Sequence, residues 1–87
     1  MTELAETIEL MQSEDFKERF KAEYWQTKIR LSKLGGMIKK YEAGTLDFEP
    51  KSSLEILKRQ FIKMYEYLFV LEERARIEGI DLNGGNE

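Results

Sequence analysis

Neither cysteine nor histidine occurs in the 87 residues. Disulfide staples, zinc fingers and thiol nucleophiles are thereby excluded, and histidine-based acid–base chemistry is excluded with them. Proline occurs once, so little interrupts a helix. No apolar run approaches the roughly 18–20 residues of a membrane span. The opening stretch Met1-Thr2-Glu3-Leu4-Ala5-Glu6 lacks the basic start of a signal peptide. A cytoplasmic protein without a membrane partner is the expectation. There is also no phosphate-cradling glycine loop, catalytic triad or positioned acid pair. The chain is therefore expected to bind rather than catalyse, with no metal and no cofactor.

Charge is present but not lopsided. Charged residues make up 36% of the chain, yet the net charge is only -3. Acidic and basic side chains alternate, so neither the acidic face of a DNA mimic nor the basic stripe of a nucleic-acid binder is expected. A single hairpin of this size buries little core alone, and without staples or metal the natural source of added stability is a partner chain.

Hydrophobic periodicity predicts an all-α fold: a long antiparallel helical hairpin with a short N-terminal helix, forming a single domain over residues 1–82. Leu4, Ile8 and Met11 recur at helical spacing and predict a short amphipathic helix over about 3–11. Ser13-Glu14-Asp15 is a helix start. From there Phe16, Phe20, Tyr24, Thr27, Leu31, Leu34, Ile38 and Tyr41 form a heptad-type seam, so helix A is expected over about 14–42, with Gly44 as its stop. In the connection, Leu46 and Phe48 lie two apart and are expected to tuck under the closed end. Ser52 with Glu55 reads as a capping box. Helix B is expected over about 53–78, with Leu54, Leu57, Phe61, Met64, Leu68, Leu71 and Ala75 on its seam and Gly79 at its end. Ile80 and Leu82 can fold back, and residues 83–87 form a polar tail expected to be disordered. Two long helices joined by a short loop pack antiparallel. The register this implies sets Leu31 near Met64, Tyr24 near Leu71 and Phe20 near Ala75, with Glu23 in reach of Arg74.

Glu23-Tyr24, Lys33-Leu34, the Tyr41-Glu42-Ala43-Gly44-Thr45-Leu46-Asp47-Phe48 loop, Gln60, Met64, Tyr67-Leu68, Leu71-Glu72-Glu73-Arg74-Ala75 and Gly79-Ile80-Asp81-Leu82 carry a resemblance. Over about residues 14–82 the chain resembles a family of small phage and prophage helical proteins named after a protein of a crAss-like phage. That resemblance implies a phage origin and the cytoplasm of a bacterial host, and it implies no particular chemistry. By analogy with other small phage proteins lacking an enzymatic signature, it implies anti-defence activity. One form is sequestration of a nucleotide immune signal by a helical homo-oligomer. Another is anti-CRISPR-type docking on a defence protein, and a third is a role as phage assembly or scaffold component.

Two clusters stand out as candidate functional residues. Between Phe61 and Leu71 only Lys63 and Glu66 are charged. A helix apolar all round is normally buried all round. Either the N-terminal helix and Ile80 and Leu82 cover this second face, or the protein self-associates through Ile62, Tyr65 and Phe69. The size of the apolar surface favours the second. On helix A, Tyr24 and Trp25 with Lys21 and Lys28 join flat aromatic faces to cations, the combination a phosphorylated planar ligand needs. Arg74 on helix B can add a planar fork for phosphate. The same residues also read as ordinary core, interface and solvated positions. Glu72, Glu73, Arg74 and Arg76 read as a solvated charged face. Gly35-Gly36 inside helix A costs roughly 1 kcal/mol per glycine relative to alanine, which marks either a kink or a close approach.

Overall fold

A computed structural model describes residues 4–83 of the chain. The expected polar tail falls outside these described residues from position 84 onward, as does position 3 at the start of the short helix. A 3-10 turn, Leu4–Thr7, leads into the one-turn helix α1, Ile8–Met11. Two long helices follow, α2 over Phe16–Ala43 and α3 over Leu54–Glu78. They pack antiparallel as a hairpin 43 Å along its long axis. The all-α hairpin with a short N-terminal helix is thus the observed fold.

The helix ends show how local chemistry sets these bounds. The cap of α2 is Asp15, whose carboxylate accepts from the Lys17 N–H at 3.0 Å, while the Ser13 hydroxyl accepts from the Asp15 N–H at 3.0 Å. Ser13 therefore shapes the approach and Asp15 satisfies an orphan donor of the first turn. At α3 the cap is Ser53, accepting from the Ile56 N–H at 3.2 Å. The box expected at Ser52 and Glu55 is displaced by one residue, because adjacent serines are chemically equivalent caps and the tertiary fold selects between them. Both long helices end on a left-handed glycine, Gly44 and Gly79. The Thr45 N–H returns to the Lys40 carbonyl, and the Ile80 N–H to the Ala75 carbonyl. These are the six-to-one bonds of a Schellman ending.

The core fills the open end of the hairpin. Phe20, Tyr24, Leu31, Leu68, Leu71, Ala75 and Ile80 form one buried cluster, with Trp25, Phe61, Met64 and Leu82 packed against it. Ile38 and Leu57 are buried nearer the loop. Four positions expected to pack inward are corrected. Phe16 is half-exposed, because the hairpin register sets it opposite Gly79, where α3 has ended. Phe48 is exposed, because the backbone bends at Asp47 and Phe48. That bend breaks the two-residue alternation that would have aimed Phe48 alongside Leu46. On the N-terminal segment, Ile8 and Met11 are half-exposed and Thr7 is fully buried instead. The 3-10 geometry of its first turn has three residues per turn, which rotates the docked face. The Thr7 hydroxyl donates to the Leu4 carbonyl at 2.7 Å and accepts from the Gln26 amide at 2.9 Å.

This segment packs on α2 alone and makes no packing contact with α3. Ala22 and Gln26 lie about half a turn from the core-facing residues of α2, so the N-terminal segment occupies the back of that helix. Among the described residues, no helix is long and apolar enough to cross a membrane.

Candidate functional site

Four residues of α2 rise along one flank of the hairpin at helical spacing: Lys28, Ser32, Gly35 and Lys39. The matching flank of α3 presents Lys58, Phe61, Ile62, Tyr65, Phe69 and Glu72. Two open grooves lie between them. One, of about 280 Å³, is lined by Lys28, Leu31, Ser32, Tyr65, Leu68, Phe69 and Glu72. The other, of about 330 Å³, is lined by Gly35, Ile38, Lys39, Lys58, Phe61 and Ile62. The aromatic rings of α3 form a ladder between the two grooves. Phe61 stacks on Tyr65 at 6.4 Å between centroids, and Tyr65 meets Phe69 edge-on at 4.9 Å.

The structure brings most of the expected aromatic–basic cluster together beside the groove lined by Lys28 and Glu72. Tyr24 and Trp25 meet edge to face at 5.3 Å. The Lys28 ammonium lies 5.7 Å from the Tyr24 ring and 5.2 Å from the Trp25 ring. Such cation–π contacts hold a charge in place without neutralising it. Trp25 is itself clamped, since its indole N–H donates to the Leu82 carbonyl at 3.0 Å. Tyr24 is buried, and its hydroxyl donates to the Glu72 carboxylate at 2.8 Å. Burial, and then the hydrogen bond and charge of Glu72, push its pKa up to about 12. Glu72 is thus more than a member of a solvated face. Lys21 lies one helical turn before Trp25 and is half-buried.

Arg74 does not join this group. Two residues after Glu72, it is turned by about 200° around α3 and lies on the opposite flank. There its guanidinium sits 5.0 Å from the Phe20 ring and pairs with Glu78 at 2.8 Å. That hydrogen bond, with the charges of Glu78 and Glu23, raises its pKa further above the usual guanidinium value. Glu23 is electrostatically felt but is not the partner of Arg74. It accepts the hydroxyl of Tyr67 instead. Glu73 and Arg76 form a loose exposed pair at 3.7 Å.

Ile62, Tyr65 and Phe69 are each about half-exposed, at 52%, 50% and 55%. Neither of the covers that the sequence offered for this face reaches it. The N-terminal segment lies behind α2, and Ile80 and Leu82 close the open end against the core and Trp25.

Gly35 explains half of the glycine pair. Helix α2 runs unbroken through it, and a Cβ there would lie 2.9 Å from the Phe61 ring. The ring uses the space that a side chain would fill. Nothing lies near a Cβ at Gly36. Sequence reasoning marked Gly35 as a kink or a close approach but missed the groove-lining role of Ser32, Lys39 and Lys58. The four-three-four spacing of Lys28, Ser32, Gly35 and Lys39 on α2 was a signal, but small and polar residues do not register in a hydrophobic pattern.

Among the described residues, every buried side-chain nitrogen and oxygen has a hydrogen-bond partner, and no group of acidic, histidine or cysteine side chains is arranged to hold a metal. A family model described as Sequestin matches residues 14–77. The chain belongs to the Sequestin family. The match takes in all of α2, α3 up to Ile77, and every residue of the two grooves. It begins after the N-terminal segment and ends before Ile80 and Leu82. No curated protein and no solved structure matches this member of the Sequestin family.

Proposed function

We propose that the protein is a phage-encoded binding protein that counters bacterial host defence, in the host cytoplasm, by sequestering a nucleotide-type immune signal within a homo-oligomer. The observation that carries this reading is the placement of Lys28. Its ammonium is fixed over two aromatic rings beside an open groove walled by Tyr65 and Phe69. A phosphorylated planar ligand needs a flat apolar wall for its base and a held cation for its charge. Ser32 and Glu72 add a hydroxyl and a carboxylate for the ligand's polar edges. The family's name and the resemblance to phage proteins support the same direction.

One hairpin is too thin to enclose such a ligand, so a second protomer roofs the groove. Arg74, on the far flank, is no part of this pocket. The protein holds its ligand without turning it over. Calorimetry against cyclic nucleotides and ADP-ribose derivatives is the direct test. Saturable heat is expected with at least one of them, lost in Lys28→Ala, and the ligand should be recovered unchanged after denaturation. Absence of heat with all of them, together with stable capture of a defence protein such as a CRISPR effector, replaces this reading with inhibition by docking.

A further inference from the structure

The exposed stripe of α3 has more order than hydrophobicity alone requires. Lys58, Ile62, Tyr65, Phe69, Glu72 and Arg76 follow one another at spacings of four, three, four, three and four. That is a coiled-coil type of seam, laid beside the intramolecular one. Its centre is apolar, flanked by Lys58 on one side and by Glu72 and then Arg76 on the other. Lys58 touches Glu42, and Glu72 accepts from Tyr24, yet both side chains remain exposed. Each keeps a free side for a second partner.

We infer that this stripe is a two-fold homodimer interface in which α3 packs antiparallel on α3 of a second copy, centred on Tyr65. Charge selects both the orientation and the register. A parallel pairing sets Lys58 against Lys58 and Glu72 against Glu72. An antiparallel pairing shifted by about half a heptad one way sets Lys58 against Arg76. Shifted the other way, it sets Glu55 against Glu72. With Tyr65 at the dyad, Lys58 faces Glu72 of the second copy, and this contact occurs twice. Like charges directly opposed destabilise an interface and favour its alternatives.

Shape agrees with charge in this register. Phe69 of one copy falls opposite Phe61 and Ile62 of the other, where the 330 Å³ groove lies open. That groove exists because Gly35 has no side chain and the Phe61 ring lies against it. A knob and a hole at mirrored distances from one residue make a self-complementary surface, as a two-fold contact demands. The inference rests on the oligomer of the proposed function, and its seam shares Tyr65, Phe69 and Glu72 with the groove assigned there to the ligand.

The chain has no cysteine, so single-cysteine variants report proximity cleanly. Wild-type protein should have a dimer mass or a multiple of it by light scattering at micromolar concentration. Tyr65→Cys should form an intermolecular disulfide under mild oxidation, and Ile77→Cys on the outer face should not. Ile62→Cys and Phe69→Cys should crosslink when mixed far more than either does alone. Lys58→Glu should lower the dimer fraction, and Lys58→Glu with Glu72→Lys should restore it while circular dichroism stays helical. A wild-type monomer, self-linking at Ile62→Cys and Phe69→Cys, or no rescue by the charge swap overturns the inference. Nucleotide binding by a dimer joined elsewhere would overturn this inference alone, and crosslinking without nucleotide binding would overturn the ligand reading alone.

Discussion

At the level of single residues, Tyr24 joins stability to the candidate site. Its hydroxyl bridges α2 to Glu72 on α3, and its folded-state pKa is raised from 10.0 to about 12. A raised pKa means that the neutral form is favoured in the folded protein. The corresponding stability is fully present below pH 10 and is lost as the pH rises towards about 12. Tyr24→Phe keeps the ring and removes the hydroxyl. Below pH 10 it should be less stable than wild type by about 0.5–1.5 kcal/mol in urea denaturation, the usual worth of a net hydrogen bond. That difference should vanish or reverse by pH 12. The two glycines separate in the same way. Gly36→Ala should stabilise by roughly 0.5–1 kcal/mol, because helix propensity improves and nothing is displaced. Gly35→Ala should gain less or destabilise, because the Phe61 ring must move. If the two alanine variants gave equal thermal shifts, the account of Gly35 would fail.

Among the elements, the long helices were legible and their ends less so. The seam residues Phe20, Tyr24, Leu31, Leu68, Leu71 and Ala75 were readable because a 3.6-residue period over many turns is a redundant signal. Ser52 and Ser53 carry no such redundancy, and the sequence pointed to the wrong one. Ser53→Ala should cost about 0.5–2 kcal/mol, and Ser52→Ala should remain within about 0.5 kcal/mol. Chemical denaturation of the pair would detect a reversed order. The N-terminal segment was the least legible element. Its docking includes the Thr7 hydroxyl and the Met11 sulfur meeting the Gln26 amide, and a polar contact across elements leaves no periodic trace. Of the candidate site, the clustering of Tyr24, Trp25 and Lys28 was readable because they are neighbours on one helix. Arg74 stands apart from them within one chain, because its side of α3 depends on the rotation of that helix about its own axis.

For the molecule as a whole, burial is concentrated at the end remote from the loop. Leu68 sits within the core cluster and is 7% exposed. Leu68→Ala should therefore destabilise by about 2–5 kcal/mol, well beyond either serine variant. A smaller loss than that of Ser53→Ala would show that the core lies elsewhere. The far side of the hairpin is built differently. There the loop end has only Ile38 and Leu57 buried, with the half-buried Leu46 and the exposed pair of Lys58 and Glu42 beside them. The long flank between the two ends holds the grooves and the aromatic ladder, so the surface available for binding adjoins the packed core directly. A ligand or partner at Lys28 and Tyr65 touches residues one helical turn from Tyr24 and Leu68, and its binding should raise the melting temperature.

Trp25 is the lone tryptophan, and its indole N–H is tied to the Leu82 carbonyl. That makes the protein carry its own fluorophore at the clasp between α2 and the segment beyond α3. Excitation at the indole band reports whether this clasp is shut, without a label. Release of the segment would hydrate the indole and redshift its emission while the far-ultraviolet signal of both helices persists. A titration in mild denaturant should therefore show the emission change before the loss of ellipticity, with Leu82 leaving first and the hairpin melting afterwards.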